Sequence, residues 1–93
     1  MAYRYKIADL EYLCKRLNEV TKSPLKQYIR NESGKLEAQI GNFHLSQAYG
    51  GVCLHRIMSV GGGITKPISM GYETKKDAYK LIAAYLEGVE SNA

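Results

Sequence analysis

The chain has no tryptophan, one phenylalanine, two prolines, two cysteines and two histidines among its 93 residues. Cys14 and Cys53 are too few for the dense disulfide framework of a secreted miniprotein. A zinc centre takes about four ligands, or three and a water, so this supply of Cys and His leaves little room for one. No apolar run approaches the ~20 residues needed to span a bilayer. The opening Met1-Ala2-Tyr3-Arg4-Tyr5-Lys6 is polar and aromatic, unlike a basic-then-apolar leader. Together these absences lead to the expectation of a cytoplasmic protein with reduced thiols and no membrane contact. Low-complexity segments and internal repeats are missing too.

What remains is ordinary globular composition. A chain of this length buries roughly 60–65% of its unfolded surface, enough for one modest core and not for two. One domain over residues 1–93 is expected, frayed at 1–6 and 90–93. The net charge is +4, with the basic residues spread along the chain. Such a charge suits an anionic partner without demanding one. Tyrosine is abundant, with eight copies. It serves binding surfaces, and it also fills small cores whose edges stay wet.

Two segments have helical periodicity. Ile7, Leu10, Leu13, Cys14, Leu17 and Val20 recur at helical spacing, with Glu11, Lys15, Arg16, Asn18 and Glu19 opposite. Ser23-Pro24 ends that helix, because the residue before proline avoids the α region. Cys14 lies on the apolar stripe and reads as an inert core thiol. Near the other end, Ala78, Leu81, Ile82, Tyr85, Leu86 and Val89 form a second stripe. Thr74 is its N-cap, with Asp77 three residues on as a short capping box.

The middle alternates as strands do. Tyr28-Ile29-Arg30 opens the sheet, and Asn31-Glu32-Ser33-Gly34 is a turn. Leu36, Ala38 and Ile40 alternate with Glu37 and Gln39. At Gly41-Asn42 the phase slips to Phe43 and Leu45, which reads as a β-bulge. After a loop at Ser46–Gly51, Val52, Leu54, Met58 and Val60 alternate again. Gly61-Gly62-Gly63 reads as a reversal between strands; a phosphate loop would lead into a helix instead. Ile64, Ile68, Met70 and Tyr72 make a last strand, placed at an edge by Pro67. The expected fold is α+β, in α-β-β-β-α order with room for one extra short strand. It is an antiparallel meander with both helices on one face and the other face open.

The open face holds the first candidate residues. If Ser46–Gly51 is a loop, Leu45 pairs near Val52 and Phe43 near Leu54. His44 then lies opposite Cys53, with His55 two residues on. These three could be soft metal ligands, but no fourth is available on that face, and solvated polar residues are the simpler reading. No third orienting group or oxyanion hole accompanies them, so no catalytic residue, cofactor or metal is assigned. Tyr49 on a Gly-Gly loop near Arg56 could stack a base or clamp a phosphate. Arg56 also shares parity with Val52, Leu54 and Met58, which places it at the periphery of the apolar face. Lys75 and Lys76 sit in the first turn of the last helix, where the macrodipole is already positive. They could dock an anion there, or be offset by Glu73 and Asp77 and stay solvated.

Two resemblances follow from these motifs. Thr74-Lys75-Lys76-Asp77-Ala78-Tyr79-Lys80, followed by Ala83-Ala84, resembles the start of the last helix of double-stranded RNA-binding domains. The α-β-β-β-α order agrees with that family, whose lysines at this place grip phosphates across a groove. Its Gly-Pro-x-His loop is replaced here by Asn31-Glu32-Ser33-Gly34. A second resemblance spans most of the chain: Leu10-Glu11-Tyr12-Leu13, then Gly41-Asn42-Phe43-His44-Leu45-Ser46, then Ala48-Tyr49-Gly50-Gly51-Val52-Cys53-Leu54-His55-Arg56. With Gly61-Gly62-Gly63 and Leu86-Glu87-Gly88, these strings resemble a family of short, uncharacterised proteins encoded in tailed-bacteriophage genomes. That resemblance implies a setting, the host cytoplasm during infection, and no activity.

The sequence thus leads to a small non-enzymatic binding module for nucleic acid or a host protein. Its expected surface is His44, Tyr49, His55 and Arg56, extended by Lys75 and Lys76. The alternatives are a phosphate-backbone binder of the double-stranded RNA type, or a homo-oligomeric structural protein, a dimer being the simplest case.

Overall fold

The computed structural model describes residues 4–92. Of the ends expected to fray, residues 1–3 and 93 lie outside the described residues. Lys6 is the N-cap of the first helix, and the last helix runs to Ser91.

Helix α1 (Ile7–Val20) follows the apolar stripe, burying Leu10, Leu13, Cys14 and Leu17 on one side. Its start is tied by the Lys6 N–H, which donates to the Asp9 carboxylate at 2.8 Å. Its end is a Schellman cap: Ser23 N–H donates to the Asn18 carbonyl at 2.8 Å and Lys22 N–H to that of Glu19 at 3.2 Å. Lys22 takes the left-handed conformation this cap requires, with φ 56°. Helix α2 (Lys75–Ser91) opens as expected, with Thr74 Oγ1 accepting the Asp77 N–H at 3.2 Å.

Between the helices run five antiparallel strands in two sheets. Strands β1 (Tyr28–Arg30) and β2 (Leu36–Ala38) form a separate hairpin, with Arg30 opposite Leu36. Asn31 shapes its turn by accepting the Ser33 and Lys35 N–H groups through Oδ1. The phase slip at Gly41-Asn42 is a turn, not a bulge: Asn42 N–H donates to Gln39 O at 3.1 Å, and Gly41 has φ 95°. Here the expected single meander divides.

The second sheet has the order β3-β4-β5, from β3 (Phe43–Ala48), β4 (Gly51–Ile57) and β5 (Ile64–Thr65). Its first hairpin is tighter than expected. Only Tyr49 and Gly50 lie in the turn, both with positive φ (53° and 72°), the pattern of a type I′ turn. The register therefore moves by two: Leu45 faces Leu54, Phe43 faces Arg56, and His44 faces His55. The glycine loop at 61–63 is the β4–β5 reversal, closed by Met58 N–H to Gly63 O at 2.8 Å. The last strand is shorter than expected. After Thr65 the chain leaves the ladder and rejoins it only at Glu73, which exchanges backbone bonds with Val52 at 2.8 and 3.0 Å.

Both helices pack on one face of this sheet, as the single stripe on each predicts. Phe43, Val52 and Leu54 meet Leu10, Leu13 and Leu17 of α1 and Ala78, Ile82 and Leu86 of α2. Each of these side chains larger than Ala78 contributes roughly 1.5–3 kcal/mol through burial. Two expectations need correction. Asn18, assigned to the polar side of α1, is buried and turned toward β3. The sheet face away from the helices is not open: Cys53 and Ile57, which point that way, are fully buried. The 66–73 segment lies across the Cys53 end, and the Ala38 end of the β1–β2 hairpin docks beside Val60.

Candidate functional site

Alternation along β3 and β4 places His44, Ser46, Cys53 and His55 on the face away from the helices. His44 and His55 are cross-strand partners, with ring centroids 5.7 Å apart and planes at 84°. Tyr72 comes over the sheet from the 66–73 segment. Its hydroxyl bonds Ser46 Oγ at 2.8 Å, and its ring meets that of His55 edge-on at 6.4 Å. On its far side it meets Tyr49 at 5.5 Å and 73°. The four rings thus form a row, in the edge-to-face geometry aromatic quadrupoles favour. Lys66 Nζ stands 6.0 Å from the Tyr72 ring.

Burial holds the imidazoles of both histidines below the usual range. The neighbouring His55 adds to this for His44, and Lys66 adds to it for His55. Among the described residues, His44 Nδ1 and His55 Nε2 are buried without a hydrogen-bond partner. Cys53 faces Ser46 rather than His44, and burial pushes its thiol up. Burial pushes Cys14 up to about 12, with Glu11 adding to it. No group of three or more His, Cys, Asp or Glu among the described residues is arranged to hold a metal ion.

Arg56 is apart from this row. It points to the helix face, its guanidinium 4.5 Å from the centre of the Phe43 ring, and its Nε donates to Gly41 O at 3.1 Å. It covers the end of the core and anchors the turn that divides the sheets. Lys75 and Lys76 also stand off from the histidines, but they are close to the Tyr49 turn. With Arg4, Tyr5, Gln47 and Thr74 they line a cleft bordered by Gly50 and Gly51 of the β3–β4 hairpin. Three cations line this cleft and no carboxylate does, among the described residues. It opens at the N-terminus of α2, where free amides and the macrodipole add positive potential.

Tyr49 ends the aromatic row and lies in the turn whose Gly50 lines the cleft. It is 93% exposed, and its φ of 53° is one that bulky residues rarely adopt. Asn-Gly is the preferred pair for this turn. Behind it, Gly51 is needed for close approach, since a Cβ there would lie 2.6 Å from the Tyr72 carbonyl oxygen. The sequence reading overlooked Tyr72, Lys66 and Arg4. The paired glycines were the available signal: one serves the turn, and the second marks a backbone crossing beside it.

No protein family, curated protein or solved structure matches this chain.

Proposed function

We propose that this chain is a non-enzymatic binding module for single-stranded nucleic acid, acting in the cytoplasm of a phage-infected host. The phage setting rests on the sequence resemblance alone. The binding mode rests on the placement of Tyr49. A tyrosine held almost fully in solvent, at a backbone conformation it disfavours, sits in the turn directly before Gly50 and Gly51, which line a cleft with Arg4, Lys75 and Lys76. An exposed ring beside cations is what a single strand uses: a base stacks on the ring while its phosphates meet the charges. Strain at an exposed position is retained where the side chain serves a purpose. The non-enzymatic part is supported by the thiols, both buried and both pushed up.

The test is fluorescence anisotropy with labelled single-stranded DNA and RNA, and with duplexes of each, over a salt series. Binding to single strands is expected, weakening on the order of tenfold between about 50 and about 200 mM salt for three phosphate contacts. Undetectable binding at low salt overturns the reading. A clear preference for duplex RNA replaces it with the double-stranded RNA-binding alternative. A host-protein partner and a homo-oligomeric structural role are the remaining alternatives.

A further inference from the structure

Exposed apolar side chains concentrate at one end of the molecule. Leu25, Tyr28, Ile29, Leu36 and Ile40 lie on or beside the β1–β2 hairpin, Met58 and Val60 sit on the β4–β5 connection, and Ile64 opens β5. The Ala38 N–H, bonded to Val60 O at 3.2 Å, brings the two groups together. A lone two-stranded hairpin is marginally stable, whereas three or more strands with an apolar face hold. All three residues of β1 are exposed. Its inner edge is bonded to β2, bracketed by Gln39 N–H to Gln27 O and Asn31 N–H to Lys35 O. Antiparallel alternation then turns the N–H and C=O groups of Tyr28 and Arg30 outward, an unpaired edge ready for another strand.

We propose that β1 pairs with β1 of a second copy of this chain, antiparallel and two-fold symmetric about Ile29. The charges beside the strand select this occupant. Pairing about Ile29 sets Tyr28 opposite Arg30 of the second copy. Just beyond the ladder, Lys26 falls opposite the second copy's Glu32, and Glu32 opposite its Lys26. Both side chains are exposed, and neither forms an ion pair among the described residues. A parallel pairing would set lysine against lysine and glutamate against glutamate, which is destabilising. The two-fold arrangement joins two marginal hairpins into one four-stranded sheet, β2-β1-β1-β2, and consumes the open edge so that assembly closes at two. This inference is independent of the nucleic-acid reading.

Sedimentation velocity on the full chain over a wide concentration range tests it, with circular dichroism as the folding control. The chain is expected to associate to a dimer. Ile29→Lys places two like charges on the axis and should leave a folded monomer. Lys26→Glu and Glu32→Lys, taken singly, each create two like-charge contacts and should weaken the dimer on the order of tenfold. The double reversal restores both pairs and should restore affinity. A monomer at every concentration overturns the proposal, and so does open-ended assembly. A dimer indifferent to all these changes overturns β1 as the interface, and single losses without rescue in the double variant overturn this register.

Discussion

The side-chain amide of Asn18 is bonded to both backbone polar groups of Phe43: Oδ1 accepts its N–H at 2.7 Å, and Nδ2 donates to its carbonyl at 3.1 Å. One amide from α1 thus does at that point what a neighbouring strand would do for β3. Asn18→Ala leaves a buried N–H and a buried C=O without partners. Each orphaned group costs roughly 1–3 kcal/mol, so a loss of about 3 kcal/mol or more is expected. Chemical denaturation checks it: the midpoint should fall with an unchanged denaturant slope. A loss below about 1 kcal/mol would mean that water replaces the amide.

Tyr49→Asn separates function from stability. Asparagine suits the left-handed position of a type I′ turn better than tyrosine does. The variant should unfold at the same or a slightly higher temperature. Its affinity for single-stranded nucleic acid should fall roughly five- to a hundredfold, the range for losing one base–aromatic stack. Equal losses of stability and affinity would make the ring a structural cover for Tyr72 instead.

Stability should decline with acid in a window set by the histidine pair. Burial, the larger cause for each, holds both folded imidazoles below the ordinary histidine value of about 6.5. Above about pH 6.5 the imidazoles are neutral in both states, and the pair carries no penalty. As pH falls below that, the unfolded chain takes up protons that the folded chain resists, so unfolding is favoured. The melting temperature should therefore drop as pH falls below about 6.5. A His44→Asn, His55→Gln double variant should show a shallower drop below about pH 6.5. An identical pH profile in the double variant would assign the acid sensitivity elsewhere.

Gly51→Ala should be among the most damaging methyl additions in the chain. The new Cβ would press on the backbone of Tyr72 and Glu73, 2.6 Å from one carbonyl oxygen and 3.0 Å from another. Overpacking against backbone costs typically about 1–3 kcal/mol. Gly50→Ala meets no atom within 4 Å but is strained by its φ of 72°. The decisive readout is tyrosine fluorescence near the row: Gly51→Ala should shift it by displacing Tyr72, and Gly50→Ala should shift it less.

The helices were legible because their apolar positions repeat at a period no strand shares. The faces of β3 and β4 were legible for a subtler reason. Assuming a wide loop moved the register by two residues, from Leu45 opposite Val52 to the observed Leu45 opposite Leu54. A shift of two preserves which side each residue takes, so His44 and His55 still share a face. What could not be read was the division at Gly41, since a one-residue phase slip looks the same for a bulge and for a turn. Asn18 was hidden because a polar residue beside a helical stripe reads as solvated until a strand edge is placed against it. Tyr72 reads in the sequence as one more alternating strand residue, and nothing local tells a strand from a strap lying over one.

The division of the sheet has a consequence for how the molecule opens. The β1–β2 hairpin meets the remainder through few bonds, among them Ala38 N–H to Val60 O, Gly41 N–H to Ile57 O and Asn42 Nδ2 to Pro24 O. The helices and β3-β4 share one buried cluster that contains neither β1 nor β2. Amide protons in the hairpin should therefore exchange with solvent through openings that leave the helical half intact. Heating or mild denaturant would release the hairpin first, and the melting of this small chain would report two cooperative units rather than one.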